Sequence, residues 1–198
     1  MLKKFSIIVV GFTLACGTLP TSSEYLARGE GYHKDGKPEM ALKEYNKALK
    51  INPDNIDVYA SRGAANFYLK NYEAAAEDFI KVIENQPENA AAYNALGSAL
   101  AALGRNEDAL KFVSYAIFVN PVNVEALMSR AGIYYNLQQY ENAVGDLSAV
   151  IKIKPNIDAY ALRALTYEKM GKQDLSDKDK ETIKAGNLPF HVNSMVTY

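Results

Sequence analysis

The sequence predicts an all-α fold, a right-handed α-solenoid of about five helix-turn-helix repeats. Three observations carry this reading. Five prolines, Pro53, Pro87, Pro121, Pro155 and Pro189, stand 34 residues apart, and only Pro20 and Pro38 lie off that ladder. Between the prolines, aromatic and small residues return at fixed offsets. An arginine followed by an acid 16 residues later also recurs, once in most units. A period of this length marks an array of supersecondary units, none of which can bury its apolar face without a neighbour.

Residues 1–15 read as an export signal. Lys3 and Lys4 form a basic start, and Phe5 to Ala15 an apolar run of 11 residues, well short of the roughly 20 that span a bilayer. The segment Phe12-Thr13-Leu14-Ala15-Cys16 resembles a bacterial lipobox, with Thr13 where that motif usually has leucine. The resemblance implies a cut after Ala15, a diacylglycerol on the Cys16 thiol, and residues 16–22 as a tether. Gly17 differs from the aspartate that resembles an inner-membrane retention signal, which points to the outer membrane. An ordinary signal peptide, leaving a soluble exported protein, is the alternative. Cys16 is the one cysteine, so no disulfide can form within the chain.

The repeats follow in order. Residues 22–55 supply Tyr25, Gly29, Tyr32, Ala41, Tyr45, Ala48 and Pro53; residues 56–89 supply Tyr59, Gly63, Ala75, Phe79 and Pro87. Residues 90–123 supply Tyr93, Gly97, Ala109, Ala116 and Pro121; residues 124–156 supply Leu127, Ala131, Tyr134, Ala143, Leu147 and Pro155. The fifth unit, 157–187, keeps Tyr160, Ala164 and Tyr167 and then turns polar, as a solubilising terminal cap does. Residues 188–198 form a tail without helical period. Prolines end the second helix of each unit. Asn55, Asn89, Asn123 and Asn156 read as N-caps of the next first helix. Turns between paired helices fall at Gly36, Lys70-Asn71, Gly104-Arg105, Gln138-Gln139 and Gly171, with Pro38 in a first turn and Gly186 as the final stop. Over about 22–186 this pattern resembles the tetratricopeptide repeat.

Arg28 and Glu44, Arg62 and Asp78, Arg130 and Asp146, and Arg163 and Asp179 are each 16 apart, while the third repeat holds Leu96 and Phe112 at those positions. Arginine and acid disappear together, so they read as an ion pair joining the two helices of a repeat. An anion-binding row of arginines is the rival.

The net charge of −1 offers no basic field for nucleic acid. With His33 and His191 the only histidines and Cys16 in the signal, no catalytic or metal-ligand constellation emerges, and neither enzyme activity nor a cofactor is expected. The family resemblance instead implies a concave groove lined by first helices. Carried over position by position, it assigns Asp57, Ser61, Tyr68, Asn94, Ser98, Glu125, Met128, Tyr135 and Asn136 to partner binding, although Phe67 and Tyr135 fit an inter-repeat core equally well. Leu26 and Glu30 stand where co-chaperone arrays place the Lys and Asn of a carboxylate clamp, so that clamp is absent. The chain is similar in layout to outer-membrane repeat lipoproteins that recruit envelope enzymes and to pilotins that assemble secretins. The partners implied are a protein or peptide, and a membrane through the lipid anchor. Self-assembly into a homo-oligomer is the structural alternative.

Overall fold

The structure, a computed structural model, describes residues 19–186. The segment 1–15 read above as an export signal, Cys16 and the tail with His191 lie outside the described residues. The described residues form ten α-helices and no strand: α1 (Ser22–Lys34), α2 (Pro38–Ile51), α3 (Ile56–Tyr68), α4 (Tyr72–Asn85), α5 (Ala90–Ala102), α6 (Asn106–Val119), α7 (Val124–Asn136), α8 (Tyr140–Ile153), α9 (Ile157–Lys169) and α10 (Gln173–Lys184).

Local chemistry sets the boundaries. Thr21 and Glu24 form a reciprocal capping box at α1, with the Thr21 N–H donating to the Glu24 carboxylate at 2.7 Å. Asn89, Asn123 and Asn156 each accept from the backbone N–H three residues on, at 3.0, 3.0 and 2.9 Å. Asn55 departs from the cap expected of it. Its amide donates to the Ser22 hydroxyl at 3.1 Å and so ties the start of α3 to the start of α1. Only the first boundary has such a hydroxyl waiting at the preceding first helix. Pro38 opens α2.

Each helix packs on its neighbours in sequence, and the first helices of successive repeats also touch: α1 on α3, α3 on α5, α5 on α7, α7 on α9. The second helices never approach one another. The array therefore curves with its first helices on the inner face and its second helices outside. Gly29, Gly63 and Gly97 permit the close approach within repeats. A Cβ at these sites would strike the side chains of Tyr45, Phe79 and Val113 respectively. The core runs along the array in three clusters, around Tyr45 and Val58, around Phe79, Leu96 and Val113, and around Leu127, Leu147 and Leu162. It thins at the end: α8 buries Ala143, Asp146, Leu147 and Val150, whereas α10 buries only Ser176 and Asp179. Among the described residues no helix is long and apolar enough to cross a membrane.

Candidate partner-binding surfaces

Three of the arginine–acid pairs meet as bidentate forks. Arg62 donates to Asp78 at 3.0 and 2.7 Å, Arg130 to Asp146 at 2.7 and 2.7 Å, and Arg163 to Asp179 at 2.8 and 2.7 Å. Hydrogen bonds to the carboxylates hold each guanidinium above even its ordinary high range, against the opposing effect of burial. The remaining nitrogen of each fork reaches the second helix of the repeat before: Arg62 to Asn46 at 2.7 Å, Arg130 to Ser114 at 3.5 Å, Arg163 to Ser148 at 2.9 Å. Each arginine thus links three helices and lies near a tyrosine ring, Tyr59, Tyr134 or Tyr160. The third contact stands at sequence offsets of 16, 16 and 15, on uncharged Asn and Ser that a search for paired charges does not single out.

The pair expected between Arg28 and Glu44 is corrected. Glu44 takes Lys47 one turn away on its own helix, and Arg28 lies over the Tyr25 ring at 5.3 Å. Arg28 stays exposed, whereas the arginines that form forks are half-buried. In the third repeat Leu96 is buried and Phe112 half-buried against it.

The residues assigned to the groove all sit on first helices, but they do not form one open surface. Asp57, Glu125 and Asn136 are exposed, and Tyr68 is 66% exposed. The Tyr68 ring meets the edge of His33 from the preceding repeat at 6.1 Å between centroids. Asn94 is half-buried, and its side-chain oxygen has no hydrogen-bond partner; neither has His33 Nδ1. Ser98 lies 3.5 Å from Ser129 of the next repeat, at the limit of a hydroxyl–hydroxyl bond. Ser61 faces inward. Burial and the charge of Glu30 push the Tyr45 hydroxyl above the usual phenol range, and the Ser61 hydroxyl opposes them.

Two assignments move toward the core. Met128 and Tyr135 pack half-buried against the Leu127–Leu147 cluster, and Tyr135 meets Tyr140 edge-on at 5.7 Å across the turn. Phe67 does the same with Tyr72 at 5.3 Å. The assigned positions that stay open or keep an unpaired polar atom in repeats one to three are therefore the His33–Tyr68 pair and, on the next first helix, Asn94. No group of three or more metal-ligating side chains occurs among the described residues.

A second feature lies outside the groove and was not anticipated. In repeat three, Tyr93 of α5 and Tyr115 and Phe118 of α6 form a chain of rings with centroids 4.3 and 6.0 Å apart that runs from the core to the exposed Phe118. Its sequence signal was a change of residue type: Tyr115 and Phe118 stand where the two preceding repeats have Lys47 and Lys81, and Lys50 and Glu84.

Family models for the tetratricopeptide repeat match residues 29–70, 61–117 and 124–157. The chain belongs to the tetratricopeptide repeat family, whose members are scaffolds for protein–protein interaction and generally not enzymes. Among solved structures it is similar to a MamA protein, with a TM-score of 0.72 and 24% identity over 86% of this chain and 97% of that one. It is also similar to YrrB, described as a tetratricopeptide protein with an unusual peptide-binding site, with a TM-score of 0.66 and 21% identity over 84% of this chain and 88% of that one. Over 50 residues, a quarter of the chain, it is 36% identical to the Hsp70-Hsp90 organising protein of Plasmodium falciparum, a match that spans only 9% of that protein's length.

Proposed function

We propose that this chain is a lipid-anchored adaptor of the bacterial envelope. Its signal is cut at Cys16, the thioether-linked lipid holds it to the outer membrane, and the inner face of the array recruits a protein partner in extended form. The observation that carries the recruiting role is the region spanning repeats one to three. There an exposed tyrosine, Tyr68, lies beside His33 at one end of the inner face, Asn94 stands on the first helix of the next repeat toward the other end, and His33 and Asn94 each keep a buried polar atom unpaired. An amide can donate to and accept from a peptide main chain, and a tyrosine supplies an apolar anchor with a polar tip. Peptide binding in YrrB supports the same use of the scaffold. The basic start, short apolar run and lipobox-like segment support the anchor.

Two experiments test the two halves separately. Feeding labelled palmitate to cells expressing the chain should label the wild type and not Cys16→Ala; label on both, or on neither, removes the anchor. Crosslinking in the native envelope followed by mass spectrometry should recover a partner. Tyr68→Ala and Asn94→Ala together should reduce its yield about tenfold, as loss of hot-spot contacts does. An undiminished yield moves recognition away from this region.

A further inference from the structure

The outer helices of repeats one and two carry opposite charge. In α2, Lys43, Lys47 and Lys50 recur at helical spacing and share one exposed face, with Glu39 the one exposed acid of that helix. In α4 the matching positions hold Glu77, Lys81 and Glu84, and Glu73 adds a further acid. The fold does not require lysine there, since Glu77 and Gly145 fill the position of Lys43 in repeats two and four. Glu44 is largely buried and takes Lys47 as its partner, whereas Lys43 and Lys50 form no ion pair among the described residues. Arg28 joins them from α1: it and Lys47 lie over the same Tyr25 ring, at 5.3 and 5.5 Å. Met40 and Ile51, 42% and 51% exposed, edge this cationic face with apolar side chains.

Repeat one is also the repeat nearest Cys16. Ser22, the start of α1, stands six residues after Cys16, and a stretch of that length spans at most about 20 Å. Leu19, between them, is 89% exposed. We infer that the α2 face of repeat one rests on the anionic phosphate headgroups of the bilayer. The inference rests on the lipid anchor proposed above and adds a second contact to it. A lipid alone fixes distance, not direction. It keeps α2 within reach of the surface, so a patch too weak to bind by itself is engaged at high effective concentration. Each lysine or arginine near an anionic surface adds to the attraction, while the acids of α4 are repelled. Repeat one therefore sits on the surface and repeat two is held off it. Because the second helices lie outside, this contact turns the inner face of the array away from the bilayer, open to a partner.

The lipidated chain, purified in detergent and reconstituted into vesicles, tests it. A fluorophore is placed on Met40→Cys or, as a control, on Asn142→Cys, the matching position of repeat four. The vesicles are phosphatidylcholine alone, or phosphatidylcholine with about 30% phosphatidylglycerol to supply anionic charge, and both carry a quencher on a lipid headgroup. Flotation with the neutral vesicles reports the anchor by itself. In the anionic vesicles, quenching at residue 40 should exceed that at residue 142 at least about threefold. The excess should vanish in neutral vesicles, in about 1 M salt, where the Debye length is about 3 Å, and in Lys43→Glu with Lys50→Glu. Glu77→Lys should not reduce it. Circular dichroism melting checks that the exposed substitutions leave folding intact. A chain that fails to float with neutral vesicles overturns the anchor, and this inference with it. A chain that floats but is quenched equally at both sites, or as strongly in neutral as in anionic vesicles, leaves the anchor standing and overturns the oriented face. An excess lost in Glu77→Lys overturns it too, by making the acidic α4 face of a second copy the occupant.

Discussion

Repeats two and four solve one packing problem in one way, and repeat three solves it in another. In the former, Arg62 or Arg130 crosses to an aspartate on the paired helix and reaches back to Asn46 or Ser114 on the repeat before. In the latter, Leu96 and Phe112 belong to one apolar cluster, with no charge at either position. The ionic joint fixes register across three helices, because a planar fork accepts few geometries. The apolar joint lacks that directionality, and the aromatic surface around it continues outward through Tyr93 and Tyr115 to Phe118. The comparison teaches that this scaffold can exchange an internal clamp for an external surface within one repeat, without disturbing the helices on either side.

Breaking the ionic joint should have the largest effect. Asp146→Ala leaves Arg130, whose side chain is only 21% exposed, facing an empty partner position. Removing one partner of a largely buried pair costs about 3 kcal/mol. Because arrays of repeats do not unfold as one unit, the loss is best read as a drop in hydrogen-exchange protection over α7 and α8, alongside a lower thermal midpoint. Transplanting the joint of repeat three, Arg130→Leu with Asp146→Phe, should recover most of the loss, since well-packed apolar replacements of buried ion pairs are often neutral. If the double variant is no better than Asp146→Ala, the two joints are not interchangeable and the comparison fails.

A smaller effect separates the arginine that joins from the one that does not. Arg62→Ala should cost about 2 kcal/mol, because it strands Asp78, only 4% exposed at its side chain. Arg28→Ala should cost about 0.5 kcal/mol or less, since only an exposed ring contact is lost. Thermal melting of the two variants side by side decides the matter. Equal losses would mean that Arg28 engages Glu44 in solution.

The sequence made the repeat period legible because proline, glycine and asparagine act through local backbone chemistry, and those rules operate within a few residues. The turn at Gly36 and the caps at Asn89, Asn123 and Asn156 follow from them directly. The errors arose where an outcome depends on a competitor. Glu44 has Lys47 one turn away, and Asn55 has Ser22 within reach; spacing of 16 residues says nothing of either. The groove was only partly legible. Position in a repeat places Met128 and Tyr135 on the inner face, but whether they are open depends on the size of what packs beside them, here Leu127 and Tyr140. The aromatic face of repeat three was present as a change from Lys81 to Tyr115 and from Glu84 to Phe118. It escaped notice because surface positions carry no periodic signal of their own.

The smallest effect lies in the turns, where repeats two and four differ again from repeat three. Gly36, Gly104 and Gly171 take φ of +72°, +76° and +71° in repeats one, three and five, but Lys70 and Gln138 take +62° and +59° in repeats two and four. A side chain in this left-handed region costs about 1 kcal/mol relative to glycine. The two strained turns are those spanned by an edge-on aromatic pair, Phe67 with Tyr72 and Tyr135 with Tyr140, and such pairs contribute about 0.5–1.5 kcal/mol. Repeat three has Ala101 and Asn106 at those positions and glycine in the turn. The ring pair therefore offsets the strain where it occurs. Lys70→Gly should raise stability by only about 0.5 kcal/mol, because glycine also widens the unfolded ensemble. In a Tyr72→Ala background, where the ring pair no longer holds the turn, the same substitution should recover more. A gain that is identical in both backgrounds, measured as the shift in thermal midpoint, would show that strain and clamp are independent.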